Sequence, residues 1–102
     1  MRVQIEGQRL RWRVSEDECA QLLSGASVLD VTGLGPQQLR RELQLQPTGV
    51  GLAVRDHTWS LTLPHADVAA LATRLPSRVG LRYTVGEVEI EFDVDVRGAR
   101  AG

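Results

Sequence analysis

The sequence predicts an α+β fold built from two β-β-α-β-β units, and three observations lead to it. Apolar and polar residues alternate with a period of two from Val3 to Val14 and again from Leu52 to Leu63. Each alternating run ends in a helix-start signal, Ser15-Glu16-Asp17-Glu18 in the first and Pro64 in the second. An offset of 49 residues lays one pattern on the other, placing Ile5 on Val54, Leu10 on Trp59, Trp12 on Leu61, Val14 on Leu63, Cys19 on Val68 and Leu22 on Leu71. Beyond the helix a shift of two residues is expected, so that Val28 meets Val79 and Leu39, Leu43 and Leu45 meet Ile90, Val94 and Val96. The internally duplicated units, residues 3–45 and 52–96, are expected to share a pseudo-twofold axis. They should form a mainly antiparallel eight-stranded sheet or half-closed barrel, with two short helices over it. Strand order does not follow from the sequence.

In the first hairpin a Gly7-Gln8 turn, type II′ with Gly7 at positive φ, pairs Glu6 with Arg9, Ile5 with Leu10, Gln4 with Arg11, Val3 with Trp12 and Arg2 with Arg13. One face is then apolar, and the other carries Gln4, Glu6 and a comb of Arg9, Arg11 and Arg13. Ser15 caps the following helix and Glu18 completes a capping box, with Cys19, Leu22 and Leu23 as its buried stripe. Ser24-Gly25 ends it after two or three turns. Residues 28–32 and 38–44 read as strands around a Gly33-Leu34-Gly35-Pro36 loop. The second of these also fits a helix, through Leu39 and Leu43 at i, i+4, and the repeat decides for strand.

Pro47-Thr48-Gly49 divides halves 1–48 and 49–97 of a single domain spanning 1–102, with a tail at 98–102. A second hairpin turns at Asp56-His57. Val68, Ala69, Leu71 and Ala72 then supply a short Ala-rich helix, ended by Leu75-Pro76-Ser77. The last hairpin turns at Gly86-Glu87 and sets Val85 against Val88, Tyr83 against Ile90, Arg82 against Glu91 and Leu81 against Phe92.

Composition bounds the function classes. A chain of 102 residues with 42% hydrophobic and 25% charged residues is an ordinary globular domain able to bury its own core. A formal net charge of −1 gives nucleic acid no overall attraction. All 12 basic residues are Arg, which favours planar, bidentate pairing with carboxylates, although a GC-rich coding bias accounts for it equally well. Cys19 has no partner for an internal disulfide and sits on an apolar stripe, as a thiol in a reducing compartment does. Met1 runs straight into strand-like sequence, with no basic-then-apolar leader and no apolar run near ~18 residues. The expected location is the cytoplasm, with no membrane and no nucleic-acid partner.

The opening hairpin and its cap resemble a family of small bacterial proteins of unknown function. The residues that carry the likeness are Met1-Arg2, Ile5, Gly7, Leu10-Arg11, Arg13-Val14, Ser15 and Glu18, with Leu61-Thr62-Leu63-Pro64 before the Ala-rich helix as a second point of similarity. The resemblance is firm over the first 18 residues and loose to residue 72. It implies no activity, so no functional residue is carried over, and the acidic last strand departs from the family's pattern.

Two features could carry function. One is the Arg comb; the other is the acid comb Glu87, Glu89, Glu91, Asp93 and Asp95. As solvated outer faces they contribute only weak cross-strand pairs. As an interaction surface, Arg9, Arg11, Arg13, Glu89, Glu91 and Asp93 suit each other across one sheet or between two subunits. The partner is then a second copy of the chain, or another protein.

An enzymatic alternative also exists, because alternating acids and arginines resemble the lining of metal-dependent triphosphate tunnel enzymes. A polar barrel interior would push the alternate apolar residues outward, and two short helices could not cover them. His57 and His65 have no third ligand at metal-like spacing and read as surface histidines. Gly33-Leu34-Gly35-Pro36 lacks the Lys-Ser/Thr of a phosphate loop, and Trp12 and Trp59 read as core. The sequence therefore assigns no catalytic residue, metal site or cofactor, and points to a non-enzymatic interaction or scaffold module.

Overall fold

The computed structural model describes residues 1–77 and 79–96, so the expected tail lies outside the described residues. The elements in chain order are β1 (Arg2–Glu6), β2 (Arg9–Ser15), α1 (Glu16–Leu23), β3 (Val28–Leu34), β4 (Gln37–Gln46), β5 (Gly51–Arg55), β6 (Thr58–Pro64), α2 (His65–Thr73), β7 (Leu81–Val85) and β8 (Val88–Asp95). The order is β-β-α-β-β twice over, and the class is α+β.

Two-residue turns close each of the four hairpins. Gly7, Gly35 and Gly86 take the positive φ that the first turn position requires, while Asp56 and His57 both enter the left-handed region, at φ 49° and 63°. Such short turns leave no slack, so the pairs read from sequence in the first and last hairpins are the pairs observed. The 33–36 stretch is tighter than the expected loop: Gly33 and Leu34 belong to β3, and Gly35-Pro36 alone makes the turn. Residues 37–46 form a strand, not a helix. At α1 the Ser15 hydroxyl accepts from the Glu18 N–H at 3.1 Å and the Glu18 carboxylate accepts from the Ser15 N–H at 2.9 Å, which is the expected capping box.

Strand pairing departs from the expected single, mainly antiparallel eight-stranded sheet or half-closed barrel. The hairpins are antiparallel, yet they assemble into two four-stranded sheets, β1-β2-β8-β7 and β3-β4-β6-β5, and neither closes into a barrel. The middle pair of each sheet, β2 with β8 and β4 with β6, is parallel. Each sheet therefore takes one hairpin from each half of the chain. Both helices cross between sheets, α1 from β2 to β3 and α2 from β6 to β7, so β2 meets β8 only after the chain has passed through the other sheet, whereas β4 meets β6 by way of the edge strand β5.

The registers correct one expectation. Trp12 lies opposite Phe92, and Leu43 opposite Leu61, so the offset of 49 that carries Trp12 to Leu61 also carries Leu43 to Phe92. Leu43 thus matches Phe92, not Val94. Because Val28 faces Leu43 and Leu81 faces Phe92, Val28 corresponds to Leu81, and Val79 lies exposed ahead of β7. A longer connection after α2 and a shorter β7–β8 hairpin absorb the difference. Two backbone bonds repeat with the same offset: Glu89 N–H donates to the Gln8 carbonyl at 2.8 Å, and Arg40 N–H to the His57 carbonyl at 2.9 Å.

One apolar cluster draws on both sheets and both helices. Leu10, Trp12 and Val14 of β2 join Ile90, Phe92 and Val94 of β8, with Leu61 and Leu63 of β6, Val28, Leu43, and the helix residues Cys19, Leu22, Val68 and Leu71. Among the described residues no polar or charged residue is buried with them. Each helix has eight or nine residues, too short to persist alone, and is held by this contact. No helix among the described residues is long and apolar enough to cross a membrane.

Candidate interaction surface

The core dictates where the charges go. Packing Leu10, Trp12 and Val14 beside Ile90, Phe92 and Val94 fixes the parallel register of β2 on β8, and the intervening residues must then match on the opposite face. Arg9 falls beside Glu89, Arg11 beside Glu91, and Arg13 beside Asp93. All six residues expected to form an interaction surface thus meet on one outer face, within one chain. Arg11 Nε donates to Glu91 Oε2 at 3.0 Å, Arg9 Nε reaches Glu89 Oε2 at 3.4 Å, and Arg13 Nη2 stands 3.9 Å from Asp93 Oδ2. From β7, Arg82 Nε approaches the other Glu91 oxygen at 3.6 Å. Glu91 is the focus of this ladder, its side chain 18% exposed between two guanidiniums. The Arg11 hydrogen bond lowers its carboxyl below the usual range against the opposing effect of burial, and the charges of Arg11, Arg82 and Arg9 add to the lowering.

Such an arrangement neutralises itself. Three guanidiniums on β2 relieve the repulsion along β8, where like charges two residues apart stand ~7 Å from one another. A depression of about 220 Å³ beside the ladder is lined by Arg11, Arg13, Arg82, Glu91 and Asp93. A larger one, about 550 Å³, lies at the start of α1 among Arg13, Glu16, Asp17, Glu18 and Asp95. Of the remaining acid-comb residues, Glu87 sits in the Gly86-Glu87 turn and Asp95 ends β8.

The other candidates of the sequence stay apart from this face. His57 is an exposed turn residue, and His65 opens α2 with Nε2 3.3 Å from the Leu23 carbonyl. Among the described residues no three His, Cys, Asp or Glu side chains gather in a way that could hold a metal ion. Cys19 is buried, and burial pushes its thiol upward, with Glu16 adding to the effect. Trp12 is fully buried and Trp59 packs partly buried against the same cluster.

Sequence reasoning missed a second surface. Strand β3 is an edge strand of seven residues, against five for each of the other edges, β1, β5 and β7. It carries Leu29 at 54% exposure, Val31 at 43% and Leu34 at 58%, half of the exposed large apolar residues among those described. Its single charge, Asp30, is taken up inside the chain by Arg41, whose Nη2 donates to Oδ2 at 2.7 Å. The available signal was a broken alternation: Val28-Leu29-Asp30-Val31 is apolar on both faces of the strand, which a half-exposed strand does not need. Comparison with protein-family models, with curated proteins and with solved structures finds no match for this chain.

Proposed function

We propose that this chain is a non-enzymatic protein-interaction or scaffold module of the bacterial cytoplasm. The observation that carries the reading is the concentration of Leu29, Val31 and Leu34 on one long edge strand. Exposed backbone groups beside uncovered apolar side chains are what a β-strand partner recognises. The charged combs support it from the other direction, since their groups are spent on one another rather than aimed into an enclosed cavity. Membership of the family of small bacterial proteins that the first 18 residues resemble belongs to the same proposal. So does descent of the two halves from one duplicated β-β-α-β-β unit, supported by the shared element order and by the constant offset of the parallel registers.

The alternative is a metal-dependent triphosphate or nucleotide phosphohydrolase. It requires arginines and acids converging inside a polar barrel, whereas here they alternate on the outer face of an open sheet. Incubating the purified chain with inorganic triphosphate and nucleoside triphosphates, with Mg²⁺ or Mn²⁺ added, tests the choice. The interaction reading expects no turnover above buffer. Turnover that vanishes in both Arg11→Gln and Glu91→Gln would overturn it.

A further inference from the structure

Resting on the interaction reading, we propose that the partner of β3 is a second copy of this chain, paired antiparallel along the same strand. The β3-β4-β6-β5 sheets of the two copies would then become one continuous eight-stranded sheet across a twofold axis at Val31.

The backbone carries the argument first. Since Gly35-Pro36 closes the β3–β4 hairpin in two residues, Leu34 and Gln37 are a hydrogen-bonded pair, and the alternation of an antiparallel ladder turns the groups of Val28, Asp30, Thr32 and Leu34 toward β4. Those of Leu29, Val31 and Gly33 point away from the sheet. That set is symmetric about Val31. Two copies placed antiparallel about that residue match Leu29 with Gly33, Val31 with Val31 and Gly33 with Leu29, all as hydrogen-bonded pairs, giving about six N–H···O=C bonds.

Side chains agree with this register. On the face that carries Val28, Val28 meets Leu34 and Asp30 meets Thr32. On the opposite face Val31 meets its own copy, and Leu29 lies over Gly33. A Cβ built at Gly33 finds no atom within 4 Å, and its φ is not in the left-handed region, so nothing in the single chain requires glycine there. A second copy does, as space for its Leu29. Charge is compatible too, because Asp30 is already neutralised by Arg41 and β3 has no lysine, proline or second charge to repel a copy of itself. The other edges are shorter and expose fewer large apolar residues, Ile5 on β1 and Val54 on β5, and each carries charge, with Arg2 and Glu6 on β1, Arg55 on β5 and Arg82 on β7.

Sedimentation equilibrium of the intact chain, over a wide concentration range and at low and high salt, tests the proposal. The expected species has the mass of two 11.2 kDa chains. It should persist at high salt, because apolar contact and backbone bonds are not screened as ion pairs are. Val31→Lys sets two charges opposite each other on the axis and should return the mass of one chain, which still melts cooperatively but no longer with a midpoint that rises with concentration. Val31→Cys brings two α-carbons to about 5.5 Å and should give a disulfide-linked dimer under mild oxidation. Leu34→Cys, whose copies stand ~20 Å apart, should not. Amide exchange at Leu29, Val31 and Gly33 should slow as concentration rises. A chain that stays monomeric at every concentration overturns the second-copy assignment, while the interaction reading above falls only with triphosphate turnover. Association that disappears at high salt and in Arg11→Glu, yet survives Val31→Lys, also overturns it and assigns the contact to the charged ladder.

Discussion

Asp56 and His57 are held at positive φ without being glycine, which costs on the order of 1 kcal/mol at each position. The type I′ turn they form is one that an asparagine-glycine pair makes without that cost. Asp56→Asn combined with His57→Gly should therefore stabilise the chain by ~1 kcal/mol, a rise of roughly 4–8 °C in Tm on thermal melting. Gly80 is constrained in the opposite sense, since a Cβ there would stand 2.2 Å from the Phe92 carbonyl oxygen, a backbone atom that cannot turn aside. Gly80→Ala should cost about 3 kcal/mol in urea denaturation, and Gly33→Ala very little in a monomer. Glu91 links the ladder to pH. Its carboxyl is held below the ordinary 4.5 by Arg11, so the folded chain binds that proton less readily than the unfolded chain does. The stability it contributes is therefore present above the unfolded value and lost as pH falls through the folded one. Glu91→Gln should flatten the fall in urea midpoint in that acid range.

At the level of elements, what the sequence makes legible is what neighbouring residues decide. Hairpin registers follow from two-residue turns, and the first helix from Ser15 and Glu18, so both can be read from the residues alone. Parallel pairing has no such local mark, because β2 meets β8 only after the whole chain has passed between them. For the same reason the two charged combs were visible, but not the register that sets Arg9, Arg11 and Arg13 beside Glu89, Glu91 and Asp93. Strand β4 shows the limit most clearly. Its run of glutamine, arginine, glutamate and leucine favours helix by propensity, and burial of Leu43 between Val28 and Leu61 overrides that preference. Leu43→Ala should consequently lose about 2–5 kcal/mol in denaturant titration, and Leu39→Ala, only partly covered, clearly less.

The whole molecule is organised by exchange between its halves. Residues 1–48 hold β1 to β4 and residues 49–97 hold β5 to β8, yet β2 finds its inner neighbour in β8, and β4 in β6. Split at Thr48, each half keeps its hairpins and helix but loses the strand beside its most apolar one. Leu10, Trp12 and Val14 would stand open in one fragment, and Leu61, Leu63 and Phe92 in the other. A two-stranded hairpin with a short helix is marginal by itself, so neither fragment should show a cooperative melt or the near-ultraviolet signal of a buried tryptophan. Mixed in equal amounts, the two should recover both, because the interface they rebuild is the core itself and includes both parallel strand pairs. Isothermal titration should give a stoichiometry of one to one, and Leu61→Ala in the second fragment should weaken the complex by roughly the 2–5 kcal/mol it costs the intact chain. A first fragment that melted cooperatively as a monomer would show that one β-β-α-β-β unit suffices to make a core. The exchanged hairpins would then be an addition to a self-standing fold rather than its foundation.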